Sequence, residues 1–136
     1  MMRAIAAALA LVAAGCTTAA SGCEPVVTEG SETLHIYVSN QSFDIDPVLI
    51  EVYIDDQAVV CQEFAVEGQH NWILFDIALE PGEHTIHAIG NGGTAEFTEQ
   101  VDLAGERWAV IDFWWYPGDA AEQLTFDIYD QPIGFA

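Results

Sequence analysis

The stretch RWAVIDFWWY, residues 107–116, decides the fold because it is apolar on both sides. In a β-strand, successive side chains point to opposite faces of the sheet. One face would carry Ala109, Ile111, Phe113 and Trp115, and the other Trp108, Val110, Asp112, Trp114 and Tyr116. A strand of a two-layer sandwich needs only one apolar face. The second face must therefore be covered by another part of the chain or serve as a binding surface.

Seven further short runs of apolar or alternating residues surround this stretch. Turn residues separate the runs, and no helical period appears after the first sixteen residues. The eight candidate strands are residues 34–39, 48–54, 58–64, 71–79, 84–90, 94–103, 107–116 and 123–130. Short strands at this regular spacing predict an all-β fold, a single antiparallel β-sandwich of about seven or eight strands.

Three sites have the composition of tight turns between these strands. Asp55-Asp56 tolerates left-handed backbone, Pro81-Gly82 suits the centre of a type II turn, and residues 91–93 are Asn-Gly-Gly. We expect hairpins at all three. The segment LEPGEHTIHA, residues 79–88, resembles a hairpin of small Ig-like and carboxypeptidase-regulatory-like β-domains of bacterial exported proteins. This resemblance implies a fold and no chemistry.

The composition excludes several classes of partner. The chain of 136 residues has 22 acidic and two basic residues, for a formal net charge of −20, and it contains no lysine. Such a surface repels phosphate backbones and anionic lipid headgroups, so we expect no nucleic-acid partner. Hydrophobic residues make up 51% of the chain, which is enough to build a core rather than remain unfolded.

The first sixteen residues, MMRAIAAALALVAAGC, have the composition of an export signal. One arginine precedes an apolar run that is too short to span a membrane. The end of the run, AAGC, resembles the cleavage box of bacterial lipoproteins, which implies a lipid on Cys16 and removal of residues 1–15. Residues 16–31 would then be a linker and residues 32–136 the sandwich domain. AASGC, which ends at Cys23, is a competing box, and cleavage at an AxA-like site of an ordinary secreted protein is a third possibility.

The remaining cysteines depend on that choice. If Cys16 carries the lipid, Cys23 and Cys61 are left as a pair in an oxidising compartment, and we expect a disulfide between them. The protein would then contact the membrane through its lipid anchor, and this membrane would be the outer membrane if the host has one.

The sequence offers no convincing catalytic motif. It contains no GxSxG, no lysine for a Schiff base and no glycine-rich phosphate loop. His84 and His87 are three residues apart, so on a strand they point to opposite faces and cannot share a metal ion. We therefore expect no enzyme and no cofactor.

Two acidic loops are candidates for calcium, because Ca²⁺ prefers oxygen ligands. The first holds Asp44 and Asp46, near Asn40, and the second is Asp55-Asp56. Their spacing is not that of an EF-hand, and solvated acidic loops are the alternative.

The outer face of residues 107–116 is the remaining candidate. Trp108, Trp114 and Tyr116 would form an aromatic platform that could stack against an envelope glycan. The alternative is that the C-terminal QPIGFA, with Ile133 and Phe135, covers this face. Asp112 would then need a hydrogen-bond donor. Together these features predict a lipid-anchored envelope protein with a binding or structural module and a glycan or protein partner, or else a carbohydrate-binding or calcium-stabilised adhesion module.

Overall fold

The computed structural model describes residues 23–67 and 71–135. This part of the chain forms eight β-strands and a short 3-10 turn at Asn91–Gly93. The strands are β1 (Glu32–Asn40), β2 (Val48–Ile54), β3 (Gln57–Phe64), β4 (Ile73–Leu79), β5 (Gly82–Gly90), β6 (Ala95–Leu103), β7 (Arg107–Trp114) and β8 (Gln123–Tyr129). Each of the eight predicted strands is present, with ends that differ by a few residues at most.

The strands form two four-stranded sheets that pack as a sandwich. Sheet A has the order β4-β1-β7-β8 and sheet B the order β3-β2-β5-β6. The predicted all-β sandwich is confirmed. One pair departs from the antiparallel rule, because β1 and β7 run parallel at the centre of sheet A. Alternation along each strand does not reveal which distant strand lies beside it, so the sequence could not predict this pair.

The core lies between the sheets, where the alternating apolar side chains meet. On β1 the buried apolar residues are Leu34, Ile36 and Val38, and on β2 they alternate from Val48 to Ile54. Ala109, Ile111 and Phe113 of β7 are fully buried, as the face assignment predicts. Trp115 follows the end of β7 and is partly buried against the core. The inner face of the double-faced strand is therefore identified.

Two of the three hairpins expected from the turn residues are present in the structure. Asp55 and Asp56 have φ of 49° and 66° between the paired strands β2 and β3. Asn91–Gly93 joins the paired strands β5 and β6. The hairpin expected at Pro81-Gly82 is wrong, because β4 lies in sheet A and β5 in sheet B. Proline and glycine reverse the chain there, but reversal does not require that the two strands pair.

Residues 23–31, which we call the N-terminal strap, lie against the sandwich rather than away from it. The backbone N–H of Val26 donates to the carbonyl of Ala58 at 2.8 Å, which satisfies part of the exposed edge of β3. Farther along, Gly30 lies so close to the end of β4 that an added Cβ would overlap the backbone carbonyl of Leu79. The strap thus passes from sheet B to sheet A before β1 begins.

Candidate functional site

The outer face of β7 contains a half-buried carboxylate, Asp112, with identified hydrogen-bond donors. The Ser39 hydroxyl donates to Asp112 Oδ1 at 2.6 Å, and the indole N–H of Trp72 donates to the same oxygen at 2.8 Å. Burial, the largest effect, raises the pKa of Asp112, and the negative charge of Asp127 raises it further. The two hydrogen bonds lower the pKa by less, so it stays above its ordinary value. The donor that Asp112 was expected to need is thus a hydroxyl, together with an indole that the sequence did not indicate.

The C-terminal segment covers the middle of this face. The ring of Phe135 stacks on Trp72 with centroids 4.2 Å apart, and its edge meets Tyr37 at 4.8 Å. Ile133 is partly buried as well. The face that could have been an open platform is therefore covered in its centre by the chain's own tail, which answers the question posed by the double-faced strand.

The three candidate platform residues lie in two groups at opposite ends of β7. Trp114 and Tyr116 have ring centroids 6.1 Å apart at an angle of 52°. Tyr116 also donates its hydroxyl to the carbonyl of Gln41. Trp108 is opposite Tyr129 of β8, whereas Trp114 is opposite Gln123. Since a strand rises about 3.3 Å per residue, Trp108 is roughly 20 Å from Trp114.

Trp108 belongs to a group that we call the aromatic–acid patch: His35, Asp76, Glu106 and Trp108. The imidazole of His35 stacks on Trp108 with centroids 5.2 Å apart and 16° between planes. Its Nδ1–H donates to Asp76 Oδ1 at 2.5 Å, and its Nε2–H donates to Glu106 Oε2 at 2.8 Å. The patch therefore joins β4, β1 and the start of β7.

The electrostatics of the patch favour a charged imidazole. Burial lowers the pKa of His35, but the hydrogen bonds and charges of Glu106 and Asp76 outweigh burial and raise it above the usual 6.5. Both carboxylates are more than half exposed, at 52% for Glu106 and 59% for Asp76. Each contacts His35 through one oxygen, and its other oxygen can accept a hydrogen bond from a ligand.

Sequence reasoning missed this patch as a group. The carboxylate partners of His35 are 41 and 71 residues away along the chain, far outside any local motif. Outward alternation in residues 34–39 was the available signal, since it places His35 on the solvent side of its strand. The register of β1 with both β4 and β7 would have been needed to identify the partners.

The four calcium candidates fall at opposite ends of β2. Asp44 and Asp46 precede its first residue, Val48, whereas Asp55 and Asp56 follow its last, Ile54. Asp46 accepts a hydrogen bond from the backbone N–H of Val66. The two pairs therefore cannot share one ion.

Asp55 is held by β5. Its Oδ2 accepts from His84 Nδ1–H at 2.5 Å, and its Oδ1 accepts from the backbone N–H of Thr85 at 2.9 Å. Burial raises the pKa of Asp55, but the bonds from Thr85 and His84 outweigh it and lower the pKa overall. This carboxylate therefore stabilises the end of sheet B through protein donors.

The strap brings Cys23 to Cys61 on the outer face of sheet B. Their Sγ atoms and a carboxylate oxygen of Glu51 all lie within 4.8 Å of one another. Glu51 is directly opposite Cys61 in the β2–β3 register, and the Tyr53 hydroxyl donates to Glu51 Oε1 at 3.0 Å. Two thiols, a carboxylate and a phenol thus meet at one half-buried point.

This environment keeps Cys23 protonated. Burial is the largest cause that raises its pKa, to about 12, and the hydrogen bond with Cys61 adds to it. The predicted lipidation site, Cys16, and the predicted signal, residues 1–15, lie outside the described residues.

A shallow groove lies between the edges formed by β6 and β8. It has a volume of about 470 Å³ and is lined by Gln100, Val101, Asp102, Arg107, Ile128, Tyr129 and Asp130. Outside the predicted signal, the sequence contains one basic residue of the lysine or arginine type, Arg107. Its guanidinium donates to the carbonyl of Glu106.

The comparisons with known proteins give no family for the chain. No protein-family model matches it, and a search of curated proteins found no significant match. Within residues 23–67 and 71–135, no helix is long and apolar enough to cross a membrane.

Proposed function

We propose that this protein is exported, anchored by a lipid on Cys16, and acts in the cell envelope as a non-catalytic binding or structural module. The N-terminal strap is the observation that carries the proposal. It holds the chain against the sandwich between Cys23 and Gly30, and only six residues, 17–22, separate Cys23 from Cys16. An anchor on Cys16 therefore limits how far the domain can lie from the membrane.

Two further features support a module without catalysis. The inner faces of both sheets are filled by the apolar core. The three histidines of the described residues each contact a carboxylate: His35 contacts Asp76 and Glu106, His84 contacts Asp55, and His87 contacts Glu96. Both ring nitrogens of His35 and of His84 are hydrogen-bonded within the protein, so neither imidazole has a nitrogen left to accept a proton from a nucleophile.

Metabolic labelling with an alkyne fatty acid tests the anchor. We expect label in the wild-type full chain and in Cys23→Ser, and loss of label in Cys16→Ser. Cys23→Ser is the matched control because Cys23 ends the competing box. Label that persists in Cys16→Ser and disappears in Cys23→Ser would place the anchor at Cys23 instead.

A second candidate function is glycan binding at the aromatic–acid patch. The observation that favours it is the flat His35–Trp108 stack, flanked by two exposed carboxylates. Sugar rings stack on aromatic faces, and their hydroxyls donate to carboxylates. An envelope lipoprotein would have glycan polymers within reach.

Titration with soluble peptidoglycan fragments, followed by tryptophan fluorescence, tests this candidate. We expect Trp108→Ala to weaken binding about tenfold, which is roughly 1.4 kcal/mol. Trp114→Ala is the control, because that ring lies at the other end of β7. Equal weakening by the two variants would contradict binding at the patch, and binding that neither variant changes would contradict it too.

A further inference from the structure

We propose that Cys23 and Cys61 form a disulfide that fastens the N-terminal strap to the outer face of sheet B and turns this face towards the membrane. The cross-link itself depends only on the described residues. The orientation rests on the proposed lipid at Cys16.

The first support is placement. Cys61 lies on β3, and Cys23 reaches it from the strap, with both sulfurs within 4.8 Å. A disulfide needs an S–S distance of about 2.05 Å, so oxidation has to bring the two sulfurs closer, chiefly by rotation about their side-chain bonds. The bond between Val26 and Ala58 already holds the strap in register beside β3. The two cysteines are therefore prearranged for oxidation.

The second support is the chemistry of the surroundings. A metal would need thiolates, because the thiolate is the ligand form of cysteine. Burial and the neighbouring Cys61 and Glu51 disfavour the thiolate of Cys23 and raise its pKa to about 12. A disulfide carries no charge, so its formation removes this cost. Reduction of the disulfide would release either Cys23 or Cys61 as a thiolate. Release of Cys23 is slow because a thiol of high pKa is a poor leaving group.

The oxidation requires a partner that accepts two electrons. An exported protein of the dithiol–disulfide exchange class can supply it. The thiolate of one cysteine attacks a sulfur of the oxidant's disulfide, and one thiolate of the oxidant leaves. The second cysteine, deprotonated, then attacks the mixed disulfide and releases the oxidant's other thiolate. Cys23 and Cys61 lose two protons and two electrons, and the oxidant becomes a dithiol.

The consequence concerns orientation. With the strap fastened at Cys61, only residues 17–22 separate the lipid from a fixed point on sheet B. Six residues reach about 20 Å at most. The outer face of sheet B then lies next to the bilayer, and the aromatic–acid patch on sheet A points away from it.

Mass spectrometry of the full chain, exported into an oxidising compartment and digested without reduction, tests the cross-link. We expect a peptide with Cys23 joined to one with Cys61. The lipid-free variant Cys16→Ser should contain the same cross-link, so failure of the lipid proposal can be distinguished from failure of this one. The cross-link is overturned if both thiols are alkylated without prior reduction. It is also overturned if the protein holds one equivalent of zinc that a chelator removes with a fall in the melting temperature.

Thermal unfolding gives a second measure of the same bond. The bond closes a loop of about 38 residues, so reduction of the Cys16→Ser protein should lower its melting temperature by roughly 10 °C. The variant Cys23→Ser/Cys61→Ser should match the reduced protein and should not respond to reductant. A melting temperature that reduction leaves unchanged would contradict a bond that restrains the fold.

The orientation can be tested with the protein's own tryptophans. Two of the four lie on β7, one directly follows β7 and one precedes β4, so all adjoin sheet A. The lipidated protein is reconstituted into phosphatidylethanolamine–phosphatidylglycerol vesicles with a spin label on the headgroups. We expect little quenching for the wild type and at least twofold more for Cys23→Ser/Cys61→Ser. Equal quenching in the two proteins overturns the orientation.

Discussion

Phe135→Ala tests whether the C-terminal tail stabilises the covered face of β7. The ring of Phe135 is 38% exposed, so it buries about 120 Å² if a phenylalanine offers roughly 200 Å². At about 25 cal/mol per Å² this is an upper value of about 3 kcal/mol, and a compact unfolded state reduces it to about 2 kcal/mol. The cost of ordering a chain end offsets part of the gain. We therefore expect a loss of 1–2 kcal/mol, or roughly 5–8 °C in melting temperature.

The assay combines urea unfolding with acrylamide quenching of tryptophan. Quenching should increase in Phe135→Ala because Trp72 loses the ring that stacks on it. The increase should disappear when Trp72→Phe is added to the variant. Val27→Ala is the control, since Val27 is 97% exposed and its truncation removes almost no buried area. Unchanged stability together with unchanged quenching in Phe135→Ala would refute the reasoning that the tail covers this face.

Three further predictions concern other parts of the sandwich. The pKa of His35 is raised in the fold, so the stability that its charged form contributes is complete below pH 6.5 and is lost as pH rises through the folded pKa. The urea midpoint should therefore fall between pH 6 and 8, and an equal fall in His35→Gln would contradict this. The pKa of Asp112 is also raised, so the charged carboxylate destabilises the fold above that pKa. In parallel urea titrations, Asp112→Asn should gain stability relative to the wild type as pH rises from 4 to 7, and a stability difference that does not change with pH would argue against this. Gly30→Ala should displace the N-terminal strap, because the new Cβ would meet the backbone of Leu79. Oxidation of Cys23 with Cys61 should then be several-fold slower than in the control variant Glu29→Ala, and equal oxidation rates in the two variants would contradict this role of Gly30.

Local sequence predicted the strands and their inner faces because alternation depends only on neighbouring residues. The burial of Ala109, Ile111 and Phe113 followed directly from their spacing. The need of Asp112 for a donor also followed, since a buried carboxylate without partners is costly. These features were accessible because each one is set within a single strand.

Features that depend on pairing between distant strands were not accessible. The aromatic–acid patch needs the register of β4, β1 and β7 together. Pro81-Gly82 was expected to close a hairpin, but the turn residues do not specify which sheet receives the next strand. Trp72 was hidden for the same reason, because its partner Asp112 is 40 residues later.

The parallel pair of β1 and β7 has a consequence for how the chain folds. Ser39 and Asp112, which are opposite each other in this pair, are 73 residues apart. Closing a loop of that length costs about 3 kcal/mol more than closing a hairpin of a few residues, so the centre of sheet A has to form late. Until β7 has been synthesised, β1 can pair only with β4, and the inner face of sheet B lacks the half of sheet A that β7 and β8 form. The sandwich therefore closes only after most of the chain is available.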